Sequence, residues 1–335
     1  MNEATKMELQ QASGDYIVPA EFATVSKESI QSNAGVKFKE FRRTLEPRFG
    51  VVWLHIFSAY AVLVLVAFGL TGLVGASLGV SLLCTLLGGF IFGYTIAFIQ
   101  LFFHEAAHYN LAAKKSTSDF LANMFIGAIV GQDIKNYRPI HWGHHKWLGS
   151  TMDTEQTYFD PLDTKFIVQS LLGIKVLSVL SKREENLQTD AGKKQSMIGL
   201  QFIIGALMNG AIVIGSLYFN YWELAVAWTI GMLIVFPFFA SVRQVLEHRD
   251  ENAKRDVDYH NVAHGVINRL FGDGLIADTL GGAGFNRHLL HHWDPQVSYT
   301  RLKDLELYLM DTPLADALKS RQTTYVKTFI RLFNN

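Results

Sequence analysis

Two long stretches of the chain contain no lysine or arginine, and most of their residues are apolar. They cover residues 49–113 and 195–242, and each contains a single acidic side chain, Glu105 and Glu223 respectively. Each stretch is long enough for two bilayer-crossing helices of about 20 residues joined by a short turn. The pattern therefore predicts four transmembrane helices in two hairpins. The predicted spans are residues 51–73, 82–103, 197–219 and 224–240.

The basic residues predict how these hairpins are oriented. Several lysines and arginines precede the first span, and neither hairpin turn carries one. By the positive-inside rule, both termini and the loop between the hairpins are expected to be cytoplasmic. Two weaker apolar stretches in that loop, residues 120–131 and 166–180, are too short to span comfortably and are predicted to be interfacial or re-entrant helices.

This pattern predicts an all-α integral membrane protein, multi-pass, with a cytoplasmic helical cap. Residues 1–48 are polar and mixed in charge, without an apolar core after a basic start, so we expect a cytoplasmic N-terminal tail and no cleavable signal peptide. Residues 49–335 are expected to form one membrane domain.

Composition narrows the function classes. Of 335 residues, 49% are hydrophobic, and 30 basic side chains balance 30 acidic ones, which excludes a disordered or fibrous protein. The zero net charge argues against nucleic acid as a partner. The single cysteine, Cys84, excludes an internal disulfide and a cysteine-based zinc site. Any metal must therefore be held by nitrogen or oxygen.

Nine of the 12 histidines fall into four clusters, all predicted at or beyond the cytoplasmic ends of the spans. The clusters are HEAAH at 104–108, HWGHH at 141–145, the pair Glu247 and His248, and HLLHH at 288–292. Their i, i+3 and i, i+4 spacings place the rings of each cluster on one helix face. The nine candidate ligands, which are also the candidate catalytic residues, are His104, His108, His141, His144, His145, His248, His288, His291 and His292.

The HxxHH clusters are the most specific of these signals. With 12 histidines in 335 residues, chance would produce the pattern roughly 0.015 times, and it occurs twice. Imidazole nitrogens suit iron, copper, zinc and nickel, and nine ligands exceed the four that one tetrahedral zinc takes. The sequence therefore predicts two metal ions.

Other polar residues near the clusters receive less specific interpretations. His55 is expected to be an interfacial or core contact, and His260 and His264 to be surface residues or to support the ligands. Glu105 and Glu247 are expected to orient imidazoles rather than to bind metal. The three acidic residues after the second cluster are predicted to form a solvated loop: Asp153, Glu155 and Asp160. Three aromatic residues beside the clusters either line a substrate tunnel or anchor the protein at the interface: Phe103, Trp142 and Trp147.

The clusters resemble those of the membrane fatty acid desaturase and hydroxylase superfamily, whose hallmark is three histidine boxes on the cytoplasmic side of a four-helix membrane domain. The boxes here are HEAAH, HWGHH and HLLHH. Residues 286–299, NRHLLHHWDPQVSY, are similar to the family's third box with its following proline and aromatic residue, and His248 in EHR resembles an additional ligand of many members. The resemblance covers roughly residues 50–310. His260 and His264 have no place in it, and no HPGG segment of a fused cytochrome b5 domain is found.

The resemblance implies a non-haem di-iron centre, with two Fe ions held by the nine histidines, that uses O2 to attack an unactivated methylene of a lipid acyl chain. It favours a fatty acid desaturase, which leaves a carbon–carbon double bond. It also implies a separate electron donor of the ferredoxin, rubredoxin or cytochrome type, docking on the cytoplasmic cap.

Three alternatives stand beside the desaturase. A lipid hydroxylase of the same superfamily would use the same boxes. An intramembrane zinc metalloprotease would use His104 and His108 as ligands and Glu105 as general base, and would leave both HxxHH clusters unexplained. A transporter or a structural membrane protein would place its polar residues at mid-bilayer rather than at the ends of the spans.

Overall fold

A computed structural model describes residues 25–150, 152–153, 155, 158, 160–181, 199–249 and 268–333. His260 and His264 lie outside these residues, so their predicted roles stay predictions. The described chain divides into two compact units. The span unit comprises residues 49–142 and 162–243, and the terminal unit comprises the described parts of residues 25–48, 143–161 and 244–333.

The described residues are helical throughout, apart from turns and two isolated bridges. In chain order the helices are α1 (Phe38–Arg42), α2 (Phe49–Thr71), α3 (Leu78–Ala107), α4 (Lys115–Ala122), α5 (Ala128–Val130), α6 (Ile134–Trp147), α7 (Thr164–Leu171), α8 (Ile174–Ser181), α9 (Leu200–Tyr218), α10 (Trp222–Ile230), α11 (Phe236–His248), α12 (Leu275–Leu280), α13 (His288–Trp293), α14 (Leu302–Met310), α15 (Ala315–Ser320) and α16 (Tyr325–Phe333). Short π-helical segments join α4 to α5 and α10 to α11.

The four predicted spans are confirmed within the described residues. Helices α2, α3, α9 and the continuous Trp222–His248 are each long and apolar enough to cross a bilayer. Two of them are longer than the apolar pattern predicts, because α3 and α11 continue as regular helix into their histidines. The last turn of α3 therefore carries His104, and α11 ends at His248.

Glycines let α3 approach the last span closely. A Cβ atom on Gly93 would lie 2.6 Å from the carbonyl oxygen of Gly231, and one on Gly89 would lie 2.8 Å from a methyl group of Ile230. Small residues at such contacts allow helix backbones to pack by direct van der Waals contact. Gly231 begins the π-helical segment Gly231–Val235, which lies just before Pro237. A proline lacks the backbone donor and clashes with the preceding turn, which accounts for the irregular helix there.

The two weaker apolar stretches also form helices of the span unit. Residues 120–131 belong to α4, the π-helical segment after it and α5. Residues 166–180 belong to α7 and α8, which are bent by 83° relative to each other. Asn209 of α9 fixes α5: its Nδ2 donates to the carbonyl of Ile129 at 2.9 Å, and its Oδ1 accepts from Nε1 of Trp228 at 2.9 Å. The polar side chain is thus satisfied within the apolar helices.

The terminal unit is built on a hydrophobic core beneath α13. Leu289 and Leu290 are fully buried in it, together with Ile30, Phe38 and Leu45 from the N-terminal segment. The described part of residues 25–48 is therefore folded into this unit. Because the two leucines of HLLHH face the core, the histidines of α13 are presented on its other faces.

Candidate metal centre

The span unit brings three of the predicted ligands together. His104 lies in the last turn of α3, His108 is the C-cap residue of that helix, and His141 lies on α6. All three are buried, and one ring nitrogen of each lies within 4.8 Å of the others. The Nε2 atoms of His108 and His141 are 2.7 Å apart.

Arg138 holds the end of α3 in this position. Its Nε donates to the carbonyl of Ala107 at 3.0 Å and its Nη2 to that of Ala106 at 3.1 Å, while the guanidinium also pairs with Asp119. A cation at the last carbonyls of a helix satisfies free acceptors and complements the helix dipole. Arg138 lies on α6, one turn before His141. Its hydrogen bonds therefore join α6 to the end of α3, which carries the HEAAH histidines. The histidine motifs do not indicate a role for Arg138, because nothing in the sequence relates it to the HEAAH box.

Glu105 is fully buried between the two histidines of its box. Its Oε2 accepts a hydrogen bond from Nδ2 of Asn110 at 3.1 Å, and its Oε1 lies 3.9 Å from Nδ1 of His104. The carboxylate thus lies beside an imidazole nitrogen, at a separation longer than a hydrogen bond. Its predicted orienting role stays a prediction.

The terminal unit brings together the other six histidines, all buried. His144 and His145 lie in the last turn of α6, His248 ends α11, and the remaining three lie on α13. Their Nε2 atoms face one another in four pairs: His144 with His248 at 3.0 Å, His248 with His288 at 2.6 Å, His288 with His292 at 3.0 Å, and His145 with His291 at 3.0 Å. Ring nitrogens of His144, His248 and His292 lie within 4.8 Å of one another.

These distances fit nitrogen ligands of a metal ion. Two imidazoles bound at about 2.1 Å and at right angles have their nitrogens about 3.0 Å apart. Metal binding also needs neutral imidazoles. Burial, with a smaller contribution from Arg138, lowers the pKa of His108 to about 3. Burial, followed by the neighbouring histidines, lowers the pKa of His292 well below its usual range. Both rings are therefore neutral at physiological pH, and the donor set suits a metal that prefers imidazole.

Asp153 orients one of these histidines. Its carboxylate is buried and accepts hydrogen bonds from Nδ1 of His144 at 2.8 Å, from the hydroxyl of Tyr158 at 2.6 Å and from the backbone N–H of Glu155 at 2.8 Å. A proton held on Nδ1 leaves Nε2 of His144 as the nitrogen that is able to accept a metal ion. Burial, and then the charge of Asp153, raises the pKa of Tyr158 well above its usual value, so the phenol stays a donor.

The predicted solvated loop after the second box is therefore wrong for Asp153 and Glu155, which are both buried. The chain turns back at this point, so that the acidic side chains meet the end of α6 and α11. Gln244 of α11 donates to the backbone carbonyl of Glu155 at 3.4 Å, and Arg249 donates to that of Asp160 at 2.9 Å.

His248 and Glu247 are fixed in a similar way. The backbone carbonyl of Gln244 accepts from Nδ1 of His248 at 3.0 Å, which again leaves Nε2 toward the other histidines. Glu247 is fully buried, and its Oε1 accepts from the hydroxyl of Tyr325 at 2.9 Å. One of its oxygens lies within 4.8 Å of ring nitrogens of His248 and His288. Glu247 thus lies near enough to these nitrogens to share a metal ion with them, and its predicted orienting role stays a prediction.

Aromatic side chains pack against the imidazole rings of the span-unit histidines. Tyr137 stacks on His141 with centroids 5.5 Å apart, and Phe103 packs against Tyr137 at 5.4 Å. Trp142 presents its edge to His108 at 4.9 Å. The rings of His55, the remaining histidine of the spans, and Phe102 meet at a steep angle with centroids 6.4 Å apart, and the predicted role of His55 as an interfacial or core contact stays a prediction.

Residues 80–324 match the family model described as fatty acid desaturase. Because the match covers most of the chain, the protein belongs to the fatty acid desaturase family, and the resemblance seen in its histidine boxes is confirmed. No curated protein matches the chain. The matched range contains all nine candidate ligands, and the family and the buried histidine groups together support a multi-pass membrane oxidoreductase of the desaturase and hydroxylase type with a metal site. They favour this class over a zinc protease or a transporter.

Proposed function

We propose that the protein is an acyl-lipid desaturase that uses O2 and two histidine-bound iron ions to introduce a double bond into a lipid acyl chain. The observation that carries the proposal is the set of buried imidazoles whose Nε2 atoms face one another at 2.6–3.0 Å, in a chain of the fatty acid desaturase family. Nine nitrogen donors are too many for one ion, which favours two.

The electron balance defines the partners of the reaction. Removing two hydrogens from adjacent methylenes yields two electrons, and reduction of O2 to two waters takes four. The other two electrons must come from a donor protein, which we expect to be of the ferredoxin, rubredoxin or cytochrome type. Bound iron supplies the redox chemistry that activates O2 and cleaves the carbon–hydrogen bonds.

The residues of the chain hold and orient the metal. His104, His108 and His141 form the ligand set of the span unit. In the terminal unit, Asp153 and the carbonyl of Gln244 each hold an imidazole proton on Nδ1, so that Nε2 of His144 and His248 face the metal. Burial of the histidines excludes bulk water from the ligands. The remaining ligands of the terminal unit are His145, His288, His291 and His292.

The positive-inside rule supports a cytoplasmic location for the site and both termini. A reporter at the N terminus and one at the hairpin turn near residue 75 test this sidedness in intact cells. We expect only the turn to be accessible from outside.

Metal and product analysis of one purified sample test the proposal. The protein is purified in detergent, reconstituted with ferrous iron, and analysed for iron and zinc per chain. The same sample then receives lipid, a reductant and O2, and the lipid product is analysed by mass. We expect close to two irons and a product lighter by two hydrogens. A product heavier by one oxygen would make the protein a hydroxylase, and one zinc that iron does not replace would contradict the di-iron site.

A further inference from the structure

Helix α16 exposes an apolar stripe on the surface of the terminal unit. Val326, Ile330 and Phe333 are 54%, 54% and 39% exposed, and their spacing of four and three residues places them on one face. Phe329 is half-buried and stacks against Phe333 with centroids 5.7 Å apart. Large apolar side chains that line up in this way on a surface mark an interaction site rather than scattered exposure.

Two basic residues of the same helix accompany the stripe. Lys327 and Arg331 are exposed and lie four residues apart, next to Val326 and Ile330. The helix sequence, YVKTFIRLF, contains no acidic residue. A helix with aromatic and aliphatic side chains on one face and basic residues beside them is the kind that lies in the lipid headgroup region.

Helix α16 is packed against the rest of the terminal unit, so the stripe is not exposed because the helix lacks contacts. Tyr325, Thr328 and Leu332 form the opposite face and are buried. The ring of Tyr325 stacks on Phe271 with centroids 3.9 Å apart, and its hydroxyl donates to Glu247. The exposed face is therefore held outward by a packed inner face.

A second exposed apolar pair lies on α12, which follows Phe271 in the chain. Leu275 is 82% and Ile276 is 52% exposed. The backbone of this region is joined to the start of α16: the N–H of Leu270 donates to the carbonyl of Arg321 at 3.1 Å, and the N–H of Thr323 donates to that of Leu270 at 2.8 Å. Two short helices of the same region thus expose apolar side chains.

We propose that α16 is an interfacial helix, with Val326, Ile330 and Phe333 inserted among acyl chains and with Lys327 and Arg331 bound to anionic lipid headgroups. The bilayer is the favoured occupant because the spans of the same chain anchor this unit covalently to a membrane, so lipid is always present at high local concentration. A two-fold contact between copies through the stripe would bring like charges of the two helices together. Anionic lipid headgroups attract basic residues that lie close to the membrane surface.

Fluorescence quenching by lipids tests this placement in the full-length protein. Replacing the single cysteine, Cys84, by alanine gives a background for one new cysteine at Val326 or Ile330, labelled with an environment-sensitive fluorophore. The matched control is Lys319→Cys on α15, whose side chain is 60% exposed in the same unit. The proteins are placed in nanodiscs of phosphatidylcholine, with or without phosphatidylglycerol, carrying nitroxide-labelled acyl chains. Metal content and a monodisperse gel-filtration profile identify the folded variants.

We expect labels at Val326 and Ile330 to be quenched at least about threefold more than the label at Lys319, and more strongly with phosphatidylglycerol. Replacing Lys327 and Arg331 by glutamate should abolish the effect of the anionic lipid on quenching. The metal content of this variant should equal that of the Cys84→Ala background protein. Quenching at Val326 and Ile330 no greater than at Lys319 would overturn the proposal. Shielding of the labels from water without quenching by lipid would overturn it in favour of a protein partner or a second copy.

Discussion

Nδ1 of His144 donates a hydrogen bond to the carboxylate of Asp153 over a distance of 2.8 Å. The two residues lie on opposite sides of a turn, and both are buried. The contact fixes the tautomer and the rotation of a ring whose other nitrogen faces His248. A carboxylate that supports a ligand in this way usually matters nearly as much as the ligand itself.

Replacing Asp153 by asparagine is expected to weaken metal binding about 10- to 100-fold, because the amide holds the Nδ1 proton less strongly than a carboxylate does. Competition with a chelator of known affinity measures the change. The matched control is Asp316→Asn, whose side chain is 93% exposed. Equal metal affinity of the two variants would show that Asp153 has only a packing role.

Replacing any one of His144, His145, His291 or His292 by alanine is expected to abolish turnover and to lower the bound metal. Each substitution removes a buried nitrogen donor that faces another imidazole. Metal content and product formation are measured on the same preparation. His55→Gln, a histidine outside the four clusters, should leave both nearly unchanged. Full activity in any of the four alanine variants would count heavily against the ligand assignment.

Replacing Arg138 by methionine is expected to destabilise the fold by about 3 kcal/mol, as expected when a largely buried ion pair loses one partner. The change also removes the guanidinium donor from the last carbonyls of α3 and from the carboxylate of Asp119. A thermal unfolding series followed by gel filtration measures the loss. Arg48→Met provides the contrast, because its pair with Asp304 is exposed and contributes about 0–1 kcal/mol. Similar melting temperatures for the two variants would refute the capping role.

Replacing Gly93 by alanine is expected to lower the melting temperature, because the new methyl group would meet the carbonyl of Gly231 at 2.6 Å. Gly79→Ala on the same helix is the control, since nothing lies within 4 Å of a Cβ atom there. That change should be neutral or stabilising by about 0.5–1 kcal/mol, because alanine favours helix over glycine. A stable Gly93→Ala protein would mean that α3 and the last span do not pack as closely as described.

The sequence predicts the four spans well because the information is local. A stretch without charge that is long enough to cross the bilayer leaves the chain few alternatives, since backbone groups must pair within the helix. The residues at which the spanning helices end are less predictable. Hydropathy stops at about residue 103 and residue 240, whereas α3 and α11 continue to Ala107 and His248 as ordinary helices outside the apolar pattern.

The candidate ligands can be located from the sequence, whereas most residues that contact them cannot. Histidine spacing identifies the nine rings, because two HxxHH clusters are improbable by chance. The partners of those rings depend on how distant segments pack. Asp153 looks like a loop residue in sequence, and only the turn after α6 buries it beside His144. Arg138 contacts the end of α3 and Tyr325 contacts Glu247 only through tertiary packing, so sequence patterns do not reveal these contacts either.

The pairing of His145 with His291 has a consequence for how the enzyme is made. The two residues are 146 positions apart and their Nε2 atoms are 3.0 Å apart. At a translation rate of about 5–20 residues per second, the second ring is synthesised about 7–30 s after the first. During that delay the earlier histidines have no partners from α13. The histidine group of the terminal unit is therefore completed late in biogenesis, and a chain that terminates before α13 lacks three of its candidate ligands.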